Sequence, residues 1–380
     1  MKESIEIKNA GPLRNIRIDH VKPFTVLIGN SGSGKSVLMK TLMLMRYIYK
    51  MMNIRSALKN SGVKSPFRLH IKTLLHDDLI NYFGPGKDGE VVYTVNDKYT
   101  IRITKGRLDT KDAERILSPD LMFLKESWVT DMRSAIPMWL DKRGALPDAS
   151  FYFKETAEDF NKALDCVNQL DLPFLGMNMK VHASGRKRKV YLSPINGGYG
   201  SIELRHTSSG MQSSTPLLTL AEYFSNKFSF KDAMQRSIVS YLYMQDSLKH
   251  FRPDMEFSDM PRVVHMHIEE PELSLFPDAQ CDMIEQLVKT VRNPADDHSV
   301  ELTMATHSPY IVNFLNVLLR HPAEYPAALR GEEMGVYRLY DGELQNLMSL
   351  TRDNKWIVDT RDLSETMTGI LDQYRHLNSR

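Results

Sequence analysis

Residues 29–36 read Gly-Asn-Ser-Gly-Ser-Gly-Lys-Ser, a spacing suited to cradling phosphate oxygens. Gly29, Asn30, Ser31, Gly32, Ser33 and Gly34 would turn their backbone N–H groups inward, and the partial positive charge of a following helix N-terminus would add to them. At this offset Lys35 can reach the β- and γ-phosphates, and the Ser36 hydroxyl can ligate Mg²⁺. The flanks agree. Phe24-Thr-Val-Leu-Ile28 is apolar and β-branched, as a buried parallel strand is, and the run from Val37 to Met45 can continue as a helix. A bare glycine turn would need neither the lysine nor the serine. The segment therefore predicts binding of a nucleoside triphosphate.

Two further segments supply chemistry for cleaving one. Val263 to Glu272 reads Val-Val-His-Met-His-Ile-Glu-Glu-Pro-Glu, an apolar strand that ends in acids. A phosphate-loop ATPase needs one acid for its metal and another for its attacking water. Glu269 is assigned to Mg²⁺ and Glu270 to the general base, with Glu272 structural or at the rim. Thr303-Met-Ala-Thr-His307 is a short strand ending in a histidine at a strand-to-helix turn, placed to hydrogen-bond a γ-phosphate. Thr207-Ser-Ser-Gly-Met-Gln212 opens a helix with hydroxyls and a glycine. Such residues commonly cap a helix, and the same geometry binds a phosphate carried by a second subunit.

These residues need a frame. Strands alternate with helices in the first and last thirds of the chain, which predicts an α/β fold with a parallel core sheet. Hairpins and turn residues dominate about 63–205, as in an inserted β and helical region. One composite head is expected, with lobes 1–62 and 206–380 joined around that insertion. Within it, strands are expected at 90–95 and 98–104 about the Asn96-Asp97 turn, and at 121–125. Helices are expected near 75–83 and over 154–171. Later helices are expected over 231–249, 277–292, 309–319 and 364–377, with a strand pair at 337–347. The methionines at 39, 43, 45, 51 and 52 read as flexible core packing.

Composition is that of an ordinary soluble globular chain: 380 residues, 42% hydrophobic, 25% charged and a formal net charge of +2. No global basic field announces nucleic acid. Cys166 and Cys281 lie in no metal-like spacing. Neither a signal peptide nor a membrane span is read from the sequence, so a cytoplasmic protein without a membrane partner is expected.

Taken as a set, these segments resemble the heads of ABC-type ATPases. The likeness is nearest to the SMC-like branch that includes the OLD-family (overcoming lysogenization defect) ATPases and the AAA family ATPases of bacterial anti-phage defence systems. It is carried by Ile5-Glu-Ile-Lys-Asn-Ala-Gly-Pro-Leu13, the phosphate loop, and Ser208-Ser-Gly-Met-Gln212 as signature. Ile268-Glu-Glu-Pro-Glu-Leu-Ser-Leu-Phe-Pro-Asp-Ala-Gln280 and Ala305-Thr-His-Ser-Pro309 complete it. The resemblance implies that Ser209, Gly210 and Gln212 meet the ATP of a partner subunit, and that Ser274 lies in a D-loop. ATP would join two heads head-to-tail, and hydrolysis with Glu270, His307 and Lys35 would release them. Two departures stand out. Met211 replaces a second glycine, and no glutamine occurs between Ser36 and Asn168 to take the metal-sensing role. The strand ending near Glu126, with Arg133 after it, falls where related heads carry a strand and an arginine.

Related OLD enzymes carry a TOPRIM nuclease domain after the head, for which the roughly seventy residues after His307 are too few. The expectation is therefore an ATPase using ATP and Mg²⁺, a homodimer or higher homo-oligomer. It would act as sensor or scaffold for a separate effector such as a nuclease, in anti-phage defence. The alternative is a DNA-repair or chromosome-associated ATPase. For that reading Arg186-Lys-Arg-Lys189 is the candidate phosphate-contacting hairpin, although a solvated turn explains it too. A transporter ATPase fits less well, and the Asn-Lys-x-Asp of a GTPase is absent.

Overall fold

The computed structural model describes residues 1–60, 68–140, 149–184, 187–244, 260–295, 298–322 and 324–378. Its centre is a six-stranded sheet in the order β15-β14-β3-β13-β12-β7. The strands are β3 (Phe24–Gly29), β7 (Phe123–Val129), β12 (Arg262–Glu269), β13 (Ser299–Thr306), β14 (Met334–Tyr340) and β15 (Glu343–Asn346). Five run parallel and only β15 is antiparallel. The C-terminal ends of β3, β7, β12 and β13 therefore share one edge, where an open α/β sheet binds its ligands.

A second, antiparallel sheet is formed by β1 (Glu3–Ala10), β2 (Leu13–Ile18), β4 (Glu90–Val95), β5 (Tyr99–Thr104) and β6 (Arg107–Asp109). The β4–β5 hairpin turns through Asn96, Asp97 and Lys98, the first two at positive φ, which Asn and Asp tolerate better than most residues. Between the sheets lies α1 (Lys35–Asn60). It is buried on nearly every side because both sheets pack on it, and its five methionines at 39, 43, 45, 51 and 52 are all core.

A third sheet comprises β8 (Gln169–Leu172), β9 (Met177–Ser184), β10 (Lys187–Pro194) and β11 (Ile202–Glu203), and a small pair joins β16 (Met348–Leu350) to β17 (Trp356–Val358). The other helices are α2 (Ile71–Leu74), α3 (Leu79–Phe83), α4 (Phe151–Ala163), α5 (Ser209–Asn226) and α6 (Phe230–Met244). They continue with α7 (Pro277–Arg292), α8 (Pro309–Leu318) and α9 (Arg361–Asn378). None of the described helices is long and apolar enough to cross a membrane.

The α/β class with a parallel core and antiparallel sheets is as expected, and several local readings need correction. The helix read over 154–171 stops at Ala163. There Cys166 and Val167 fold back to the Ala163 carbonyl, and the chain enters β8. The helix read at 75–83 is confined to α3 at 79–83, since Leu75 is extended and Asp77 has φ 49°, and the separate α2 ends before it at Leu74. The strand read at 121–125 runs over 123–129 and joins the core sheet beside β12. The end of the helix read over 231–249 and part of the 186–189 basic run lie outside the described residues.

Candidate functional site

The phosphate loop links β3 to α1, so α1 aims its N-terminus across the parallel strand ends. Gly34 has φ 101°, and a Cβ there would meet Leu13 at 2.5 Å. Only glycine lets the loop pass this close to the antiparallel sheet. Lys35 is buried and donates to the Gly29 carbonyl at 2.7 Å and the Asn30 carbonyl at 2.9 Å. Burial lowers its pKa, while Glu270 and Glu272 oppose that shift. These bonds hold the ammonium at the mouth of the loop on acceptors that a phosphate would replace.

A cleft of about 420 Å³ opens in front of the loop. Ser31, Gly32, Gly34, Lys35, Ser36, Asp131, Glu269, Glu270 and His307 all line it. Residues remote in sequence meet here because they end adjacent strands. Glu269 closes β12, and burial raises its pKa with Asp131 adding to the rise; the Ser36 hydroxyl and Trp128 bond to it. The Trp128 indole donates to its Oε2 at 3.3 Å. Two neighbouring acids with a hydroxyl, all oxygen donors, suit a hard divalent cation such as Mg²⁺.

Glu270 sits in the left-handed region at φ 43°. For a residue with a Cβ that conformation costs about 1–3 kcal/mol, and such strain clusters where a side chain must be aimed. Its N–H donates to the Ala305 carbonyl at 2.8 Å, and its carboxylate lies 3.6 Å from His307 Nε2. Glu272 is half-buried. It accepts from Thr306 Oγ1 at 2.9 Å and from the His307 N–H at 2.6 Å, so it fixes the turn that carries His307.

Asp131 was not singled out in the sequence. It follows β7 at the edge of the sheet and lines the cleft where no glutamine is available. The absence of that glutamine after an apolar strand was the signal that could have found it. Arg133, given only a loose place in the sequence, is fully buried behind the cleft.

The signature residues stand apart from this cleft and do not line it. Ser208 is the N-cap of α5, Ser209 is exposed and Gly210 is buried. Gln212 donates to the Arg205 and Thr207 carbonyls at 3.1 and 2.9 Å. It thereby fixes the approach to the helix. A Cβ on Gly210 would meet the Ser274 carbonyl at 2.8 Å, and Ser213 Oγ donates to the Leu273 carbonyl at 2.7 Å. The segment after the acids is thus pressed onto the head of α5. Of the basic run, Arg188 pairs with Asp165 at 2.7 Å and Lys189 with Glu203 at 3.4 Å.

No protein-family model matches the sequence, and no curated protein matches it. Among solved structures, an SMC head bound to the C-winged helix domain of ScpA aligns at 13% identity and TM-score 0.38, covering 93% of this chain and 98% of that one. The SMC head domain from Thermotoga maritima aligns at 13% identity and TM-score 0.36, over 91% and 98%. A dimeric post-hydrolysis ATP-binding cassette, MJ0796 bound to ADP and Pi, aligns at 13% identity and TM-score 0.32, over 91% and 100%. These likenesses are distant, and the chemistry rests on the geometry of the cleft.

Proposed function

We propose that the chain is an ATP-binding and Mg²⁺-dependent ATPase of the ABC/SMC-like kind, built as one composite head from lobes 1–62, 63–205 and 206–380. The observation that carries this reading is the meeting of the phosphate loop, Glu269, Glu270 and His307 in one cleft. In it the loop N–H groups and Lys35 hold the triphosphate. Ser36 and Glu269, with Asp131 beside them, hold the cation. Mg²⁺ when bound neutralises charge on the transferring phosphoryl group. Glu270 accepts a proton from the attacking water, and His307 donates a hydrogen bond toward the γ-phosphate.

The cleft is open to solvent in front of the loop, while Ser208 and Ser209 present an exposed helix start elsewhere on the same chain, with Gly210 buried behind them. Two copies related by a two-fold axis would supply each other's missing wall. ATP would then close a head-to-tail homodimer, or a higher homo-oligomer, and hydrolysis would open it. We propose further that this cycle serves as sensor or scaffold for a separate effector, such as a nuclease, in anti-phage defence. That setting is supported by the sequence resemblance alone. The DNA-directed alternative rests on the 186–189 run alone, in which Arg188 pairs with Asp165 and Lys189 with Glu203 at the surface.

The test is hydrolysis by the purified chain. The wild type should turn over ATP only with Mg²⁺, and Glu270→Gln should bind ATP while hydrolysing little. Parental turnover by that variant would remove the general-base assignment. An effector expressed beside the chain should co-purify with it; a purified homodimer that cuts DNA unaided would end the scaffold reading.

A further inference from the structure

Arg133 has no solvent exposure and no carboxylate within salt-bridge distance among the described residues. Instead its guanidinium donates to five backbone carbonyls. Nη1 reaches Thr130 at 3.1 Å and Glu269 at 2.7 Å. Nη2 reaches Glu270 at 2.7 Å and Pro271 at 3.4 Å, and Nε reaches Ser213 at 3.0 Å. Burial lowers its pKa to about 10, and the nearby charges of Glu272, Asp131, Glu270 and Glu269 oppose the shift. A buried charge that spends all its donors on main chain is a clamp. It joins three segments: the end of β7 with Asp131, the turn carrying both acids, and the first turn and a half of α5.

We propose that Arg133 is a positioning residue that ties the Glu269–Glu270 turn to the head of α5. A subunit's own nucleotide thereby sets the signature segment which that subunit presents to its partner. The argument has two parts. The Glu270 peptide is pinned on one side by Ala305 and on the other by Arg133, so the left-handed turn cannot relax without moving the guanidinium. The guanidinium cannot move without releasing the Ser213 carbonyl, because its fork is planar and rigid. The Ser213–Leu273 bond and the close pass of Gly210 over Ser274 run alongside as a second tie. Cation binding at Ser36 and Glu269 changes the charge that the guanidinium faces, which gives the clamp a reason to respond to the nucleotide.

This inference rests on the ATP-closed dimer, and the test separates the two. Arg133→Lys keeps the charge but has three donors on a single nitrogen, so it cannot reach the five carbonyls that the guanidinium holds from three nitrogens. It should retain single-site ATP affinity within about twofold, lower kcat by roughly tenfold to a hundredfold, and bring the Hill coefficient for ATP from above 1 to about 1. An unchanged Hill coefficient in Arg133→Lys, in a protein whose Glu270→Gln form still dimerises on ATP, would overturn the inference and leave the dimer standing. No ATP-dependent dimer at all would fail the reading beneath it. If Arg133→Lys does not fold, amide exchange on the wild type decides. Mg-ADP added to the monomer should slow exchange at 209–214 together with the amides of 269, 270 and 272, and slowing confined to 269, 270 and 272 would overturn the inference.

Discussion

At the scale of single residues, the cleft is arranged around the backbone as much as around its side chains. Glu270 is aimed by a positive φ, Glu272 is consumed in fixing His307, and Lys35 waits on the loop's own carbonyls. Trp128 adds a support invisible in the sequence: its indole holds the Glu269 carboxylate that faces Ser36. Trp128→Phe keeps the ring stack on His267 and deletes that donor. One hydrogen bond to a charged group is worth about 1.5–3 kcal/mol. The variant should need at least severalfold more Mg²⁺ for half-maximal hydrolysis while melting near the parent. An unchanged Mg²⁺ requirement would remove Trp128 from the site. The phosphate loop and both acids were legible because their spacing is local and chemically specific. Asp131 and Trp128 were not, since β7 reads as any apolar strand until its pairing with β12 puts its end beside Glu269.

At the scale of elements, parallel strands explain why distant segments converge. Every catalytic candidate except the signature follows a strand of one sheet, and parallel registration puts those ends on a common edge. Strand and helix periodicity made that alternation readable in the first and last thirds. It failed where short elements switch period within a few residues, as at Leu164 to Leu172. The head of α5 shows a different limit. Ser208 and Gly210 read as a cap with a phosphate-facing glycine, yet Gly210 also lets the main chain at Ser274 pass within reach of its Cα. Gly210→Ala should push that segment off α5 and lower hydrolysis by roughly tenfold or more, with little change in single-site ATP affinity. Parental turnover by Gly210→Ala would show that the contact has no part in the reaction.

At the scale of the whole molecule, a buried polar cluster fastens the two large sheets through α1. Arg46 of α1 donates to both oxygens of Glu3 at 2.8 Å, and Tyr93 donates to Glu3 at 2.5 Å. Glu126 lies between His265 Nδ1 at 2.7 Å and His267 Nε2 at 3.0 Å, with Glu301 3.4 Å from His265 Nε2. The set of Glu3, His265 and Glu301 has the composition of a metal site. Arg46 and Tyr93 already occupy Glu3, so the guanidinium is the cation there. Burial and the Arg46 charge press His265 down, but Glu126 and Glu301 outweigh them and hold it at about 9. Burial lowers His267 to about 4.

The signs of the two histidines oppose each other. Unfolded histidine titrates near about 6.5. The His265 contribution is full below that value and is lost as pH rises through about 9. The His267 contribution is full above it and is lost as pH falls toward about 4. Unfolding free energy should therefore peak near neutrality and decline on both sides. Glu126→Gln should be less stable throughout and have a shallower alkaline limb, as chemical denaturation between pH 5 and 10 would reveal. An alkaline limb of parental slope in that variant would contradict the account.

The central claim is that ATP joins two copies of this chain through the cleft of one and the α5 head of the other. It is tested most directly by the solution mass of Glu270→Gln, measured with and without Mg-ATP. The chain alone has a mass of 43.7 kDa. The account predicts a species about twice that mass, or a multiple of it, that forms with Mg-ATP and is lost in Lys35→Ala or Gly210→Asp. A mass that stays at one chain while ATP is bound would contradict it, and would leave Ser209 and Gly210 as the first turn of a packed helix capped by Ser208.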